Sequence, residues 1–313
     1  GMIYDDGETA KTPVGNITGG TFKTAVPEDL CADGFISEDN GDGTYGVKVG
    51  EYAVEMTVNG VTTKYESINE AIAAAPVASY ANGKAGQSAE KAVIKLLKDT
   101  AGGFDVGVET GSLATFQIQN IEIDLNGKTL TLGQPLVGSA GTKTSGIRVL
   151  AYSDLSIYGG TVKGATALRG IQNYGEVVVE DVVFDEMTAA YDTIGNFGSV
   201  ELKGNTVVPN GSNSAILNSS YTYSDDSQVG VKLTIAEATV ETGKIVVDLS
   251  ETAHPTTGDV DAANPEIVIS AGQIESIATT GSDKELVGGV TGGTFETEVP
   301  EDLCAGGFIP KDN

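Results

Sequence analysis

Ile171-Gln-Asn-Tyr-Gly-Glu-Val-Val-Val179 and Ile194-Gly-Asn-Phe-Gly-Ser-Val-Glu-Leu202 are two copies of one pattern. Ile171, Asn173, Gly175, Val177 and Val179 fall on Ile194, Asn196, Gly198, Val200 and Leu202. Every second residue matches, which is the period of a β-strand whose alternate side chains face one way. A third copy starts at Ile216 with Asn218, and a polar insertion from Tyr221 to Gln228 follows it. A second signature trails each copy: two apolar residues two apart, a short turn, then Thr or a similar residue and an apolar one. It reads Ile123-x-Leu125…Thr129-Leu130, Leu155-x-Ile157…Thr161-Val162, Val177-x-Val179…Val183-Phe184 and Val200-x-Leu202…Thr206-Val207. It recurs at Leu233-x-Ile235…Thr239-Val240 and Ile267-x-Ile269…Gln273-Ile274.

Successive copies lie about 22 residues apart, built from short strands and turns without helices, which is the length of one coil of a solenoid. Leucine-rich repeats need a Leu and Asn pattern that is missing, and a propeller blade needs about twice the length. The expected fold class is therefore all-β: a right-handed parallel β-helix with a short N-terminal hairpin and a capping helix. In such a coil each strand pairs with its equivalent one coil away, roughly 4.8 Å distant. Inward Val, Ile and Leu then stack, and Asn173, Asn196 and Asn218 form an amide ladder in which each side chain satisfies the next. Tyr174 and Phe197 follow the ladder and point outward. They read either as a strip for stacking sugar rings or as a stack that only stabilises adjacent coils, with Tyr152, Tyr158, Tyr191, Tyr221 and Tyr223 nearby in sequence.

The chain ends repeat at a much longer offset. Residues 18–36 (TGGTFKTAVPEDLCADGFI) recur near the other end as 291–309 (TGGTFETEVPEDLCAGGFI). The expectation is a tandem array: residues 1–36 as the tail of a preceding unit, 37–66 as a β-hairpin region, 67–309 as capping helix and β-helix, and 310–313 as the start of a next unit or a terminus. Gly1 before Met2 reads as a cloning scar on a chain cut from something longer. Cys31 and Cys304 occupy the same place in their copies, so no intrachain disulfide is expected. Tyr45 to Tyr65 reads as short strands with Asn59-Gly60 as a hairpin turn. Ser67 and Glu70 form a capping-box pattern opening a helix that shares Ile68 and Ile72 on one face and stops at Pro76. Val77 to Gln87 reads as a loop.

The 313 residues carry 18 basic against 44 acidic side chains, a net charge of −26. Nucleic acid and anionic lipid both require basic contacts, so neither is an expected partner, and no apolar run is long enough to span a bilayer. Four stretches stand out: Tyr65-Glu-Ser-Ile-Asn-Glu-Ala-Ile-Ala-Ala-Ala75, Val93-Ile-Lys-Leu-Leu-Lys-Asp99, Ile123-Asp-Leu-Asn-Gly-Lys-Thr-Leu130 and Gly292-Gly-Thr-Phe295. Together they resemble a family of large gut-bacterial surface proteins, mainly clostridial, that repeat pectate-lyase-like β-helices; the resemblance covers most of the chain after residue 37 and implies a pectin-lyase-like solenoid. It implies a secreted or cell-surface, adhesin-like protein, and it implies a strand over Val93 to Lys98, where the residues alone also allow a helix.

The rival reading is a polysaccharide lyase or glycoside hydrolase on the same scaffold. Lyases of the pectate-lyase kind use an Arg or Lys base beside an acidic calcium cluster, whereas this chain has two arginines, Arg148 and Arg169, outside any such motif. The one histidine, His254, reads as a surface residue. Glu180-Asp181, Asp185-Glu186 and Asp192 form the densest acidic group. It reads as a solvated turn, as a carboxylate pair of the glycosidase type, or as a weak calcium site. Glu38-Asp-Asn-Gly-Asp-Gly43 resembles a calcium loop but has Val49 at the twelfth position, where a bidentate Glu is required, so it reads as a turn. The sequence thus favours a non-catalytic extracellular module, a stalk or adhesin-like segment with no cofactor. Its expected partners are glycan or a host surface protein, together with neighbouring repeat units. Tyr174, Phe197, Asp181, Asp185 and Asp192 are its candidate ligand contacts.

Overall fold

The computed structural model describes residues 15–27, 30–32, 35–79, 89–112, 115–138, 142–166, 168–220, 231–251 and 264–311. His254, Tyr221 and Tyr223 lie outside them, as does most of the 77–87 loop. The chain divides into two compact units, between Tyr52 and Ala53.

The first unit is a three-stranded antiparallel sheet of β1 (Thr21–Phe22), β2 (Phe35–Asp39) and β3 (Tyr45–Val49), with β3 in the middle. The Glu38-to-Gly43 stretch is the end of β2 and the turn into β3: Asp39 accepts from the Gly41 amide at 2.8 Å, and Asp42 accepts from the Thr44 amide at 3.0 Å. These carboxylates are occupied in closing the turn. Val26, Cys31 and Val47 form the core, with Ile17, Phe22, Leu30 and Phe35 packed against it.

The second unit opens with an antiparallel hairpin of β4 (Val54–Val58) and β5 (Val61–Tyr65), turned at Asn59-Gly60, both at positive φ. The helix α1 (Ile68–Ala74) follows, with the Ser67 hydroxyl accepting from the Glu70 amide at 3.2 Å. Ile68, Ala71 and Ile72 are buried, and the helix ends before Pro76, which cannot continue it. Ala78–Ser79 forms a short strand paired with Thr115–Ile118, where the sequence suggests only loop.

The β4–β5 hairpin and most of the strands that follow form one 21-stranded, parallel-rich sheet, whose parallel part the chain visits as three recurring rows; Val108–Ser112 and Thr115–Ile118 lie outside it, in a three-stranded antiparallel sheet with Ala78–Ser79. The first row runs through Lys91–Leu96, Asn120–Asp124, Asp154–Tyr158, Glu176–Glu180, Ser199–Lys203, Lys232–Ile235, Glu266–Ile269 and Val287–Val290. The second runs from Thr100–Gly102 to Thr294–Phe295. The third joins Phe104–Val106, Ser145–Val149, Arg169–Asn173, Asp192–Asn196, Ser214–Ser219 and Ile245–Asp248. The register is the one the repeats require: Ile171 lies opposite Ile194 and Asn173 opposite Asn196, which in turn faces Asn218. β4 pairs antiparallel with the first strand of the first row, Lys91–Leu96, so the hairpin covers what would be an open edge.

The sequence anticipates two short strands per signature. The structure instead continues as single strands around the bend, over Asp154–Thr166 and Glu176–Ala189. Gly159 and Asp181, at positive φ, turn the chain; the ladder skips them, resumes at Gly160 opposite Val182, and shifts register once more at Glu186. Side chains behind the strands explain the repeat. Ile147, Ile171, Ile194, Ile216 and Ile245 are all fully buried in the third row, and Ile123, Ile157, Val179, Leu202, Ile235 and Ile269 are likewise buried in the first.

Asn173 donates to Asn196 Oδ1 at 2.9 Å, and Asn196 donates to Asn218 Oδ1 at 2.7 Å. The same amide nitrogens donate to the Ser199 and Lys232 carbonyls, and the oxygens accept from the Gly175 and Gly198 amides. Gly175 and Gly198 are required there because a Cβ would stand 2.2 Å from a neighbouring carbonyl oxygen in each case. Val149 and Val247 flank the ladder. Replacing Asn196 by Ala removes the acceptor of Asn173 and of the Gly198 amide. Each orphaned buried group costs about 1–3 kcal/mol. Chemical denaturation of Asn196→Ala is therefore expected to show a loss of about 2–5 kcal/mol, and an unchanged midpoint would contradict the ladder's role.

Candidate functional site

The outward residues of the third row gather the side chains with chemistry. Asp105, Arg148, Gln172, Gly195 and Leu217 occupy one register position on five successive strands. Arg148 reaches both carboxylate oxygens of Asp105, at 2.9 and 2.7 Å, and Glu109 at 2.7 Å. Burial opposes its charge, but the hydrogen bonds and negative charge of Asp105 and Glu109 outweigh that and hold it above its ordinary pKa. Gln172 accepts from Ser145 at 3.2 Å and donates to the Tyr174 hydroxyl at 2.7 Å. Tyr174 stacks on Phe197 with centroids 5.2 Å apart and planes 21° apart, close to the spacing that adjacent paired strands impose.

Arg169 completes the strip. Its side chain lies over Gly195, where a Cβ would stand 2.2 Å from Arg169 Cδ. Its guanidinium carbon sits 5.1 Å from the Phe197 ring centre and 5.6 Å from that of Tyr191, within cation–π range. Asp192, one strand on, forms an ion pair with Arg169 at 3.3 Å and accepts from Ser214 at 2.6 Å. Burial raises the Asp192 pKa, and Ser214 and Arg169 oppose the rise.

The sequence-predicted candidates therefore separate. Tyr174, Phe197 and Asp192 come together on the third row, although Asp192 is grouped in the sequence with the acids before it. Asp181 and Asp185 lie on the Glu176–Ala189 strand and are exposed. Asp181 accepts from both the amide and the side chain of Asn205, at 2.8 and 3.0 Å, and these hydrogen bonds lower its pKa. Asp181 and Glu180 line a shallow groove of about 310 Å³ with Glu122 and Tyr158. Tyr158 donates to Glu122 at 3.1 Å, and its hydroxyl pKa is pushed up to about 12 by burial and by that carboxylate. Asp185 accepts from the Glu186 amide, and Glu186 pairs with Lys163 at 3.4 Å. Among the described residues no group of three or more His, Cys, Asp or Glu is arranged to hold a metal ion, and no helix is long and apolar enough to cross a membrane. Neither cysteine is in a disulfide.

Sequence reasoning missed the arginines, weighing them only against a lyase motif. The signal was present: Arg169 precedes Asp192 by the same interval that separates Ile171 from Ile194, which stacks them as surely as it stacks the isoleucines. Comparison with protein-family models, with curated proteins and with solved structures finds no match.

A second pair of acids stacks on the first row, where Asp154 lies directly opposite Glu176. Burial, then the Glu176 charge, lifts the Asp154 pKa to about 6, with Lys91 partly offsetting them. A carboxyl with a raised folded-state pKa favours the fold below its unfolded value, near pH 4, and that contribution is lost as pH rises through 6. Asp154→Asn is expected to raise the melting temperature at pH 7 and to leave it nearly unchanged at pH 4, as thermal melts at the two pH values would show. Gly195→Ala is expected to push Arg169 off the Phe197 face and to cost about 1–3 kcal/mol. Alanine at Gly19, where a Cβ would meet nothing within 4 Å and the backbone is not left-handed, controls for the added methyl group.

Proposed function

We propose that the second unit is a right-handed parallel β-helix acting as a non-catalytic extracellular or cell-surface module, of a stalk or adhesin-like kind, that engages glycans through its third-row strip. The β-helix reading is supported by three rows visited in fixed order, with parallel pairing that keeps repeat-equivalent residues in register. A right-handed path agrees with the preference of parallel crossovers. The observation that carries the functional reading is the run Tyr174, Phe197, Arg169 and Tyr191. Flat rings next to guanidinium and amide groups suit the apolar faces and hydroxyl edges of sugars.

A non-catalytic role is favoured by where the charges go. Arg148 is engaged by two carboxylates. Asp192 is buried on Arg169 and Ser214, so neither is positioned as an exposed acid or base. The resemblance to repeat surface proteins points the same way, as does the acidic surface. A glycan array probed with the intact chain is expected to show binding that falls at least about tenfold in Phe197→Ala, the loss of one stacking contact. Absence of any ligand on the array reduces the module to a spacer. Product release from a uronate-rich polysaccharide, lost in Asp181→Asn or Asp185→Asn, would replace the proposal with an enzymatic one.

A further inference from the structure

The two arginines of the third row are satisfied unequally. Arg148 is saturated: Nε and Nη2 donate to the two carboxylate oxygens of Asp105, and Nη1 donates to Glu109. One guanidinium there takes two carboxylates, the first along its Nε–Nη2 edge and the second at its remaining nitrogen. Arg169 lies on the next strand of the row, opposite Ser145. Among the described residues it has one carboxylate only, with Nε 3.3 Å from Asp192 Oδ2. Asp192 is buried and fixed from its other side, where Oδ1 accepts from the Ser214 hydroxyl at 2.6 Å. Nη1 and Nη2 of Arg169 make no hydrogen bond to any described residue, and unlike Nε they are not shut away from solvent.

The open end of this side chain is held in place. The stem crosses Gly195, where a Cβ would stand 2.2 Å from Arg169 Cδ. The guanidinium rests against the Phe197 and Tyr191 rings, 5.1 and 5.6 Å from their centres. The side chain as a whole is only 14% exposed, so its conformational entropy is already lost before any ligand arrives. A guanidinium presents parallel N–H pairs along two kinds of edge, Nε with one Nη and Nη1 with Nη2. Asp192 sits on the Nε side, which leaves the Nη1–Nη2 edge facing outward. Such a fork, all donor and no acceptor, matches the two oxygens of a carboxylate. A sugar hydroxyl accepts from one nitrogen at a time and brings no charge.

We propose that Arg169 is the carboxylate-binding residue of the strip, and that the ligand is a glycan ending in an acidic sugar. Its single carboxylate sits on Nη1 and Nη2 and its ring lies beside the exposed Tyr191. The ligand thus supplies the second carboxylate that Arg148 finds within the chain. This assignment rests on the strip being a glycan site. Charge favours one terminal acid over a polyuronate. The chain has two arginines and a net charge of −26, and Arg148 is already filled. The further carboxylates of a polyuronate would meet that negative field with no second open arginine to receive them.

The test is a glycan array probed with the intact chain, on which each glycan ending in a sialic or glucuronic acid is matched by the same glycan without that sugar. The acidic member is expected to bind at least about tenfold more tightly, the effect of one bidentate charge-assisted contact. Methyl esterification of the terminal carboxylate removes the charge with the protein unchanged, and is expected to abolish the preference. Arg169→Lys keeps a cation beside Asp192 but not the paired donors, and is expected to lower the ratio of acidic to uncharged affinity. Equal binding of the matched pairs would overturn the carboxylate assignment while leaving the strip a glycan site. So would a preference for polygalacturonate over single-acid glycans, or a ratio that neither esterification nor Arg169→Lys changes. Failure to bind any glycan would overturn both the assignment and the glycan reading beneath it.

Discussion

Parallel pairing between each strand and its equivalent in the next repeat is the constraint on which the rest of the second unit depends. It places every residue over its repeat counterpart with no freedom to slip, because a one-residue shift would turn every buried Ile, Val and Leu to the opposite face. The Asn173–Asn196–Asn218 ladder locks the same register by another means. All three amides are fully buried, and the hydrogen-bonding capacity of Asn173 and Asn196 is met only when the next Asn and the next strand's carbonyl are both in place. Apolar stacking alone tolerates some substitution of one aliphatic group for another. A buried amide does not, so the ladder adds specificity that the isoleucine column lacks.

The constraint that builds the core also determines the surface. Residues between the buried positions are stacked with equal fidelity, which brings Tyr174 onto Phe197 and Arg169 against Asp192 although neither pair is close in sequence. Stacking makes a periodic surface in which like side chains reinforce each other and like charges conflict. Asp154 over Glu176 shows the cost, since burial first and then the stacked Glu176 charge make the Asp154 carboxyl less acidic. Asp105, Arg148 and Glu109 show the remedy, with opposite charges interleaved. A ligand surface on such a scaffold is a strip rather than a pocket, and it lengthens with each added strand.

The first and last described strands of the sheet have different surroundings. At the start, β4 lies antiparallel on Lys91–Leu96 and α1 buries Ile68 and Ile72. At the other end, Thr294–Phe295 closes the second row beside exposed Phe308 and Ile309.

Much of this was legible in the residues. The alternation within 171–179 and its return at 194–202 implied strands, their offset implied which residues face one another, and Asn-Gly and Ser67 with Glu70 marked the hairpin and the helix start. These signals are local or periodic, so a single chain carries them in full. Three features needed the tertiary structure. The ladder resumes directly after the bends at Gly159 and Asp181 because neighbouring strands hold the backbone on both sides of the turn, which no window of sequence records. Asp192 leaves the acids that precede it and joins Arg169 and Ser214, because the partners of a side chain are set by the strands above and below rather than by its neighbours along the chain. The two copies of the long repeat are nearly identical in sequence yet differ in burial at Phe35 and Phe308. Sequence specifies what a surface can bind, but only the packed chain decides whether that surface is already covered.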